Sequence, residues 1–482
     1  MSGSWQSRLI ERDPTLHIYL VGIGGAGLSG IAQILHEMGI GISGSDRAQS
    51  HATERLVKLG IPICVPQGSH NLANLTHQPD IILMSSAIAP DHSELLYAKE
   101  AQIPIVKRDR FLPVMLEGRQ LIAIAGTHGK STTTAMVTKV LREAGVEAGY
   151  LIGATLPGYG NASAGADECP FFVLEADEYD QMFLGLQPTL AVMTNVEWDH
   201  PDCYPTPASF EQAFAQFAEK VSPKGLIISC ADDPGAESVR LTTSGSTTWV
   251  TYGLDPSADL QARRPSAVAG EGYSVELRWW NAPTGQLQLQ VPGLYNLRNA
   301  LAAIYVGRWC GVSIQQATAS LYDFKGTARR FEIKGEFEGI TIVDDYAHHP
   351  TEVQMTLAAA ANRFPERRIW AVFQPHTFSR TEELFQQMSQ CFGQADRVLV
   401  TDIYAAREVN TGRVSSADLV SAASHPAIRY TPKLLDAVDQ LELAVQPGDV
   451  VITMGAGDCY QISEMLLERL QMKVVEEGVQ SL

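Results

Sequence analysis

The chain has 482 residues, 45% of them hydrophobic and 19% charged, which is material for about three domains with sizeable cores. Its formal net charge of −18 leaves no general basic face for nucleic acid, so anionic ligands must be held by local devices: helix N-termini, a few Lys and Arg, and metal ions. No run of about 18 apolar residues offers a membrane span. The N-terminus lacks an apolar signal core, and the seven cysteines are scattered without a CxxC pair, which together point to a protein of the reducing cytoplasm.

Strand and helix signals alternate in three blocks, 1–118, 119–326 and 327–482, which predicts α/β architecture throughout. In the first block strands are expected at His17–Val21, Gly41–Ser45, Ile61–Val65, Asp80–Met84 and Ile103–Val106, with a turn and helix over Gly22–Gly39. The turn reads Gly22-Ile-Gly24-Gly25-Ala-Gly27. A G-x-G-x-x-G between strand and helix lets a pyrophosphate approach backbone N–H groups at a helix N-terminus. Ser45 and Asp46 end the next strand, where an acid can meet a ribose, and Ser85-Ser86-Ala87 offers further donors. Alone, this pattern describes an NAD-linked dehydrogenase, but a nucleotide-sugar diphosphate satisfies it equally.

The second block opens with an apolar strand, Leu121–Ala125, followed by Gly126-Thr127-His128-Gly129-Lys130-Ser131-Thr132 and an amphipathic stretch. This strand–turn–helix pattern builds a seat for nucleotide phosphates. Glycines permit the tight turn, the helix dipole faces the anion, Lys130 reaches the terminal phosphates, and Ser131 or Thr132 can ligate Mg²⁺. Ile124 stands where the longer Walker form has Gly, so the match is to the shortened G-x-x-G-K-S form. Further strands are expected at Phe171–Glu175, Leu190–Asn195, Gly225–Ser229 and Thr248–Tyr252. A hairpin is expected over Tyr273–Trp280 and Gln286–Val291 with a turn at Asn281–Gly285, then a helix at Asn296–Trp309. Two strand ends are acid-rich: Glu175-Ala-Asp177-Glu178 and Asn195-Val-Glu197-Trp-Asp199-His200. In a parallel sheet such ends lie beside the phosphate loop, so Glu175 and His200 become candidate metal ligands.

In the third block, strands are expected at Ile340–Asp344, Arg368–Phe373, Arg397–Thr401 and Asp449–Met454, and helices at Thr351–Arg363, Arg380–Phe392 and Asp458–Leu470. One strand end carries Asp344-Asp345-Tyr346-Ala-His348-His349, the next Gln374-Pro-His376-Thr-Phe-Ser-Arg380. Arg380 opens a predicted helix against its dipole, which suggests recognition of a carboxylate. A zinc site on His348, His349 and His376 is conceivable, but no Cys or HExxH spacing supports it.

Taken together and in order, these motifs resemble the Mur ligase family, the ATP-dependent amide-forming enzymes of peptidoglycan precursor synthesis. The resemblance rests on 22–30, 126–132, 175–178, 195–200, Asn296–Asn299, Arg329-Arg330-Phe331, 344–350 and 374–380. It implies a Rossmann-like N-terminal domain, a central P-loop ATPase-like domain with a mostly parallel sheet, and a Rossmann-like C-terminal domain. It further implies joining of L-alanine to the lactyl carboxylate of UDP-N-acetylmuramate with ATP and Mg²⁺ (two ions, Mn²⁺ as a substitute). Gly22, Gly24, Gly25, Gly27, Ser45, Asp46, Ser85, Ser86 and Ala87 would hold the UDP-sugar. Residues 126–132 with Asn296, Arg330 and Asp345 would hold ATP, and Ser131, Glu175 and His200 the metal. Tyr346, His348, His376 and Arg380 would surround the amino acid, and Lys130, Glu175, His200 and His348 would carry the catalysis. No nucleic-acid or membrane partner is implied, and the protein would act as a monomer or homodimer. The rival readings are ligation of a recycled murein peptide, an NAD-linked dehydrogenase and a non-catalytic nucleotide switch. Four positions depart from the family pattern: Ser131 for Thr, Tyr179 for Ser, Tyr295 for His and Arg407 for Gly.

Overall fold

The computed structural model describes residues 3–480 apart from 167–168, 246 and 269–271. These form two compact units. The first comprises 1–197, 208–261 and 301–320, the second 198–207, 262–300 and 321–482.

The first unit holds two sheets. One is fully parallel, with strands β1 His17–Val21, β2 Gly41–Ser45, β3 Ile63–Cys64, β4 Ile81–Met84 and β5 Ile105–Val106 in the order β3-β2-β1-β4-β5. The order reverses between β1 and β4. A crevice therefore opens at their carboxyl ends, where such sheets bind ligands. The apolar strands are buried, and Tyr19, Val21, Ile82 and Met84 share one core with Leu72, Leu95 and Ala98.

The other sheet contains β6 Gln120–Ala125, β7 Ala148–Leu156, β8 Gly160–Ser163, β9 Phe171–Glu175, β10 Leu190–Met193, β11 Leu226–Cys230, β12 Thr248–Gly253 and the first two residues of β13 Leu260–Ala267. Their order is β13-β12-β11-β10-β6-β9-β7-β8. Strand β6 is parallel to both neighbours, β10 and β9, so the loop after β6 has an acid-rich strand end on each side. The β7–β8 hairpin has no counterpart in the sequence expectation, because glycines inside β7 erase the strand signal. A Cβ at Gly149 would lie 2.6 Å from the Ala164 carbonyl oxygen and from the Phe172 ring.

In the second unit β14 Tyr273–Trp279 pairs antiparallel with β15 Ala282–Gln288. The expected five-residue turn is in fact two residues, Trp280 and Asn281, with φ of 49° and 65°. Two left-handed residues match the twist of a tight hairpin, so pairing resumes at Ala282. The third sheet contains β16 Glu332–Phe337, β17 Ile340–Asp345, β18 Ile369–Phe373, β19 Arg397–Val400, β20 Ile428–Tyr430 and β21 Val450–Met454, in the order β16-β17-β21-β18-β19-β20. All pairs are parallel except β16–β17. Alternate residues face two cores. Val343, Ala371, Phe373, Val398 and Ile452 enter one, and Ile342, Trp370, Val372, Leu399 and Val451 the other. The helix expected over Arg380–Phe392 is broken into Phe378–Glu383 and Phe385–Met388, because Leu384 leaves helical geometry at ψ 19°.

Candidate active site

The first unit builds two glycine-rich turns, each between a strand and a helix. In the G-x-G-x-x-G turn Gly22 has φ 81°, and the N–H groups of Gly22 and Ile23 donate to the Ser45 carbonyl. The Asp46 carboxylate accepts from Gly24 N at 2.8 Å. It therefore anchors the turn. A Cβ at Gly22 would sit 3.1 Å from that of Ser85, so the third candidate segment abuts the turn. There Ala87 N donates to Ser85 Oγ, and Ser86 Oγ is buried without a partner. Ser45 faces inward, donating at 2.6 Å to the buried Glu94.

In the loop after β6, Gly126 has φ 140° and Gly129 has φ 79°, and Gly129 caps the helix Lys130–Glu143. A Cβ at Gly126 would collide with the Thr194 hydroxyl and approach Asn195 N to 3.1 Å. Asn195 braces the loop from both sides: its Oδ1 accepts from His128 N at 2.8 Å and its Nδ2 donates to the His128 carbonyl at 2.9 Å. Thr127 Oγ1 donates to the Glu197 carbonyl and accepts from Glu197 N, and His128 Nε2 lies 3.0 Å from Glu197 Oε2.

Lys130 Nζ donates to the Gly126 and Thr127 carbonyls at 2.6 and 3.0 Å and lies 2.8–2.9 Å from both oxygens of Glu178. Burial alone would lower this ammonium. The Glu178 carboxylate, with Glu175 and Asp177 behind it, more than offsets burial and holds Lys130 above the ordinary lysine range. Ser131 Oγ donates at 2.9 Å to Glu175 Oε1, while Gly153 N holds Glu175 Oε2 at 2.6 Å. A hydroxyl beside a carboxylate is a donor set that suits Mg²⁺, which takes oxygen ligands and retains water.

The second unit gathers Asp199, His200, Tyr346, His348, His376 and Arg380. Arg380 is 3% exposed. Its Nε and Nη2 donate to the two Asp199 oxygens at 2.7 and 3.2 Å, its Nη1 to His376 Nδ1 at 3.0 Å, and its Nη2 also reaches His200 Nδ1 at 3.3 Å. Burial opposes both charges, but the pair more than offsets it. Asp199 stays well below the carboxylate range and Arg380 above its ordinary value.

These contacts fix ring tautomers. An arginine only donates, so Nδ1 of His376 and of His200 carries the lone pair and Nε2 the proton. His348 Nδ1 lies 3.0 Å from the Tyr346 carbonyl, which only accepts, so its proton is on Nδ1 and its Nε2 lone pair is free to act as a base. Burial pushes His348 down to about 3 and His376 down to about 2, leaving both neutral near pH 7. His348 and His376 rings are 5.7 Å apart, and His376 stacks on Tyr404 at 5.8 Å. His349 instead caps the helix Pro350–Arg363 by accepting from Thr351 N. Of the candidate metal ligands, Ser131 and Glu175 fit an oxygen-loving ion, whereas the His200 lone pair is engaged by Arg380.

The remaining nucleotide candidates also lie in this unit. Asn296 is buried, with Nδ2 donating to the Pro292 carbonyl at 2.7 Å. Asp345 accepts from Phe331 N and Ala347 N, each at 2.7 Å, and burial pushes its carboxyl up to about 6. The Arg330 guanidinium lies 5.0 Å from the centre of the Tyr346 ring, and that of Arg329 4.9 Å. Burial raises the Tyr346 phenol. Glu178, Asp199 and Tyr404 had not stood out as site residues. Acidic strand ends flagged the first two as motif members, while the ring stack of Tyr404 left no local signal.

Family models describe the same three segments: "Mur ligase family, catalytic domain" over residues 17–120, "Mur ligase middle domain" over 124–307 and "Mur ligase, glutamate ligase domain" over 329–457. The chain therefore belongs to the Mur ligase family, and its α/β fold is the three-domain fold of that family. Among its relatives, UDP-N-acetylmuramate–L-alanine ligase of Chloroflexus aggregans is 40% identical over 475 residues, covering 94% of this chain and 98% of the relative. The enzyme of that name from Desulforamulus reducens is 40% identical over 466 residues, covering 95% and 98%. The solved UDP-N-acetylmuramate–alanine ligase of Thermotoga maritima matches with a TM-score of 0.79 and 28% identity over 95% of this chain and all of that one. A murein peptide ligase of Psychrobacter arcticus matches with 0.73 and 26% over 94% and 98%. Membership sets aside the dehydrogenase that the first turn alone suggests.

Proposed function

We propose that the protein joins L-alanine to the lactyl carboxylate of UDP-N-acetylmuramate, releasing ADP and phosphate, in the cytoplasmic stage of peptidoglycan precursor synthesis. The observation that carries this is the convergence of Lys130, Ser131, Glu175 and Glu178 on one phosphate-accepting loop. The particular substrates follow from the 40% identity to named alanine ligases over nearly the whole chain. In this reading residues 1–118 hold the UDP-sugar, 119–326 the ATP and 327–482 the amino acid.

A carboxylate does not acylate an amine until it is activated. The lactyl carboxylate attacks the γ-phosphorus of ATP, giving an acyl phosphate and ADP; the alanine amine then attacks the acyl carbon and phosphate leaves. Lys130 and the amide-rich N-terminus of its helix neutralise the transferred phosphoryl group, a task of positioning and electrostatics. Ser131 and Glu175 would hold Mg²⁺, which supplies charge neutralisation at the phosphate oxygens; a second ion, and Mn²⁺ in place of Mg²⁺, belong to the same proposal. The neutral His348 Nε2 accepts a hydrogen bond from alanine's nitrogen and orients it for attack, the amine's proton passing to solvent. His376 Nε2–H donates to the amino acid's carboxylate beside the Arg380 charge. Asn296 and Asp345 contact the adenosine, and the enzyme acts as a monomer or homodimer.

ADP release with UDP-N-acetylmuramate and a panel of acceptors tests the reading. L-alanine should give the fastest turnover. Faster turnover with L-Ala-γ-D-Glu-diaminopimelate would move the assignment to murein-peptide recycling, and no ADP with any acceptor would overturn it.

A further inference from the structure

One arginine of the first unit lies outside every motif above. Arg108 opens the helix Arg108–Met115, with Lys107 as its N-cap. Two cations there oppose the helix dipole, with Asp109 in the same first turn and ion pairs to Asp177 and Asp180 set against that cost. Its side chain is 17% exposed, and Nη2 donates to Asp177 Oδ2 at 2.8 Å. The guanidinium lies against Gly27, the last glycine of the G-x-G-x-x-G turn. A Cβ at Gly27 would collide with Nη1, lie 2.9 Å from Cζ and lie 3.3 Å from Nε. Among the described residues, Nη1 and Nε of Arg108 donate to no protein atom. Thus Asp177 holds Nη2, and the remaining N–H groups of the guanidinium lie beside the turn whose glycines would let a pyrophosphate approach.

Ser86 Oγ is buried and unpartnered beside the same turn. Lys107 is pinned to Asp180 at 2.6 Å, so the segment 107–108 is tied twice to the acid-rich stretch that also carries Glu175 and Glu178. The absence of a side chain at Gly27 thereby acquires a second reason. It leaves room for the backbone to approach the ligand, and for a guanidinium to lie against the turn.

We infer that Arg108 is a binding residue for the diphosphate of the UDP-sugar, with Asp177 as the positioning residue that aims it. This rests on the UDP-sugar reading of the first turn, and it adds a formal cation to a site otherwise made of backbone and hydroxyl donors. A bidentate guanidinium–phosphate contact gives geometric selectivity that an amide cradle alone lacks.

The test uses the full chain, with UDP as the probe in calorimetry and UDP-N-acetylmuramate in the ADP-release assay. Arg108→Ala should weaken UDP at least ~10-fold and raise KM for UDP-N-acetylmuramate by a similar factor, leaving KM for ATP within about twofold. Arg108→Lys should recover part of the loss. Arg108→Gln, which removes the charge and keeps much of the side chain, should resemble Arg108→Ala and carries the test if that variant fails to fold. Asp177→Asn should weaken UDP less than Arg108→Ala does. UDP affinity within twofold of the parent in both Arg108→Ala and Arg108→Gln would overturn the inference. So would unchanged UDP binding with a raised KM for UDP-N-acetylmuramate alone, which would assign Arg108 to the lactyl carboxylate. A parent protein that binds UDP but makes no amide, and loses UDP on Arg108→Ala, would sink the proposed reaction and keep the inference.

Discussion

The loop around Lys130 and the cluster around Arg380 both place a buried cation against a buried carboxylate, yet they are built in opposite ways. Lys130 belongs to a contiguous backbone device: two left-handed glycines, a helix N-terminus and one ion pair, with Glu178 2% exposed. Arg380 belongs to a side-chain device drawn from two distant stretches, in which Asp199, His200 and His376 engage all three of its nitrogens. A backbone cradle keeps its glycine turns and its Asn195 brace when its cation is removed, though Glu178 then lies buried without its partner. A side-chain network loses the geometry of every member when one is lost.

The largest expected effect separates the two. Lys130→Ala should cut ADP formation by about 10³-fold or more, since the phosphoryl group loses its fixed cation. The loop's hydrogen bonds through Asn195 and Thr127 should survive, so the variant should still bind ATP with affinity reduced by a smaller factor. A variant forming ADP at near the parent rate in single-turnover assays would remove the loop from the mechanism.

Next in size is the converse case. Asp199→Ala leaves the Arg380 guanidinium buried without its counter-ion. Breaking such a pair costs about 3–5 kcal/mol, and it also releases His376 and His200 from the positions Arg380 gives them. Stability and KM for L-alanine should worsen together, measured by urea unfolding and ADP release. A loss confined to kcat, with stability intact, would mean that Asp199 acts on the reaction directly and that the network picture is wrong.

That contrast also explains what the sequence made legible. The phosphate loop, the G-x-G-x-x-G turn and the central strands were readable because they are local: glycine at a forced φ, an apolar run before it, a helix after it. The strands β7, β8, β13, β16 and β20 escaped, since glycines, Pro265 or charged residues mask their alternation. At the candidate site, Lys130 and Ser131 could be placed from neighbours in sequence. That Arg380 is saturated by Asp199, 181 residues away, or that Arg108 lies on Gly27, has no local signature. A helix start with Arg380 reads as a carboxylate binder, and nothing in that helix announces that Asp199 already accepts from it.

A smaller effect concerns protons. Burial raises Asp345 from 3.8 to about 6. Between about pH 4 and 6 the unfolded chain has released this proton and the folded chain still holds it. Stability from this residue is therefore greatest below pH 4, falls as pH rises through the window by up to about 3 kcal/mol, and is flat above about pH 7. The unfolding free energy of the parent minus that of Asp345→Asn should shrink over that range. A difference independent of pH would mean that the two backbone N–H donors fully repay the burial of the charge.

The smallest effect tests whether burial, not mere pairing, makes the Arg380 network strong. Arg407, where the family pattern often has Gly, donates to Asp202 at 2.7 Å within the same unit. The bond is as short as the one from Arg380 to Asp199, and the acids are three residues apart. The difference is water: the Arg407–Asp202 side chains are 38% and 30% exposed, those of Arg380–Asp199 4% and 5%. Solvent screens the first pair and leaves the second almost unscreened, so the double-mutant coupling between Arg407→Ala and Asp202→Ala should stay below about 1 kcal/mol. KM for L-alanine should change less than about threefold, since Arg407 is the last and weakest of the influences on His376. A coupling as large as that between Arg380 and Asp199 would show that the segment 198–207 is held by its whole set of charges, with exposure deciding nothing.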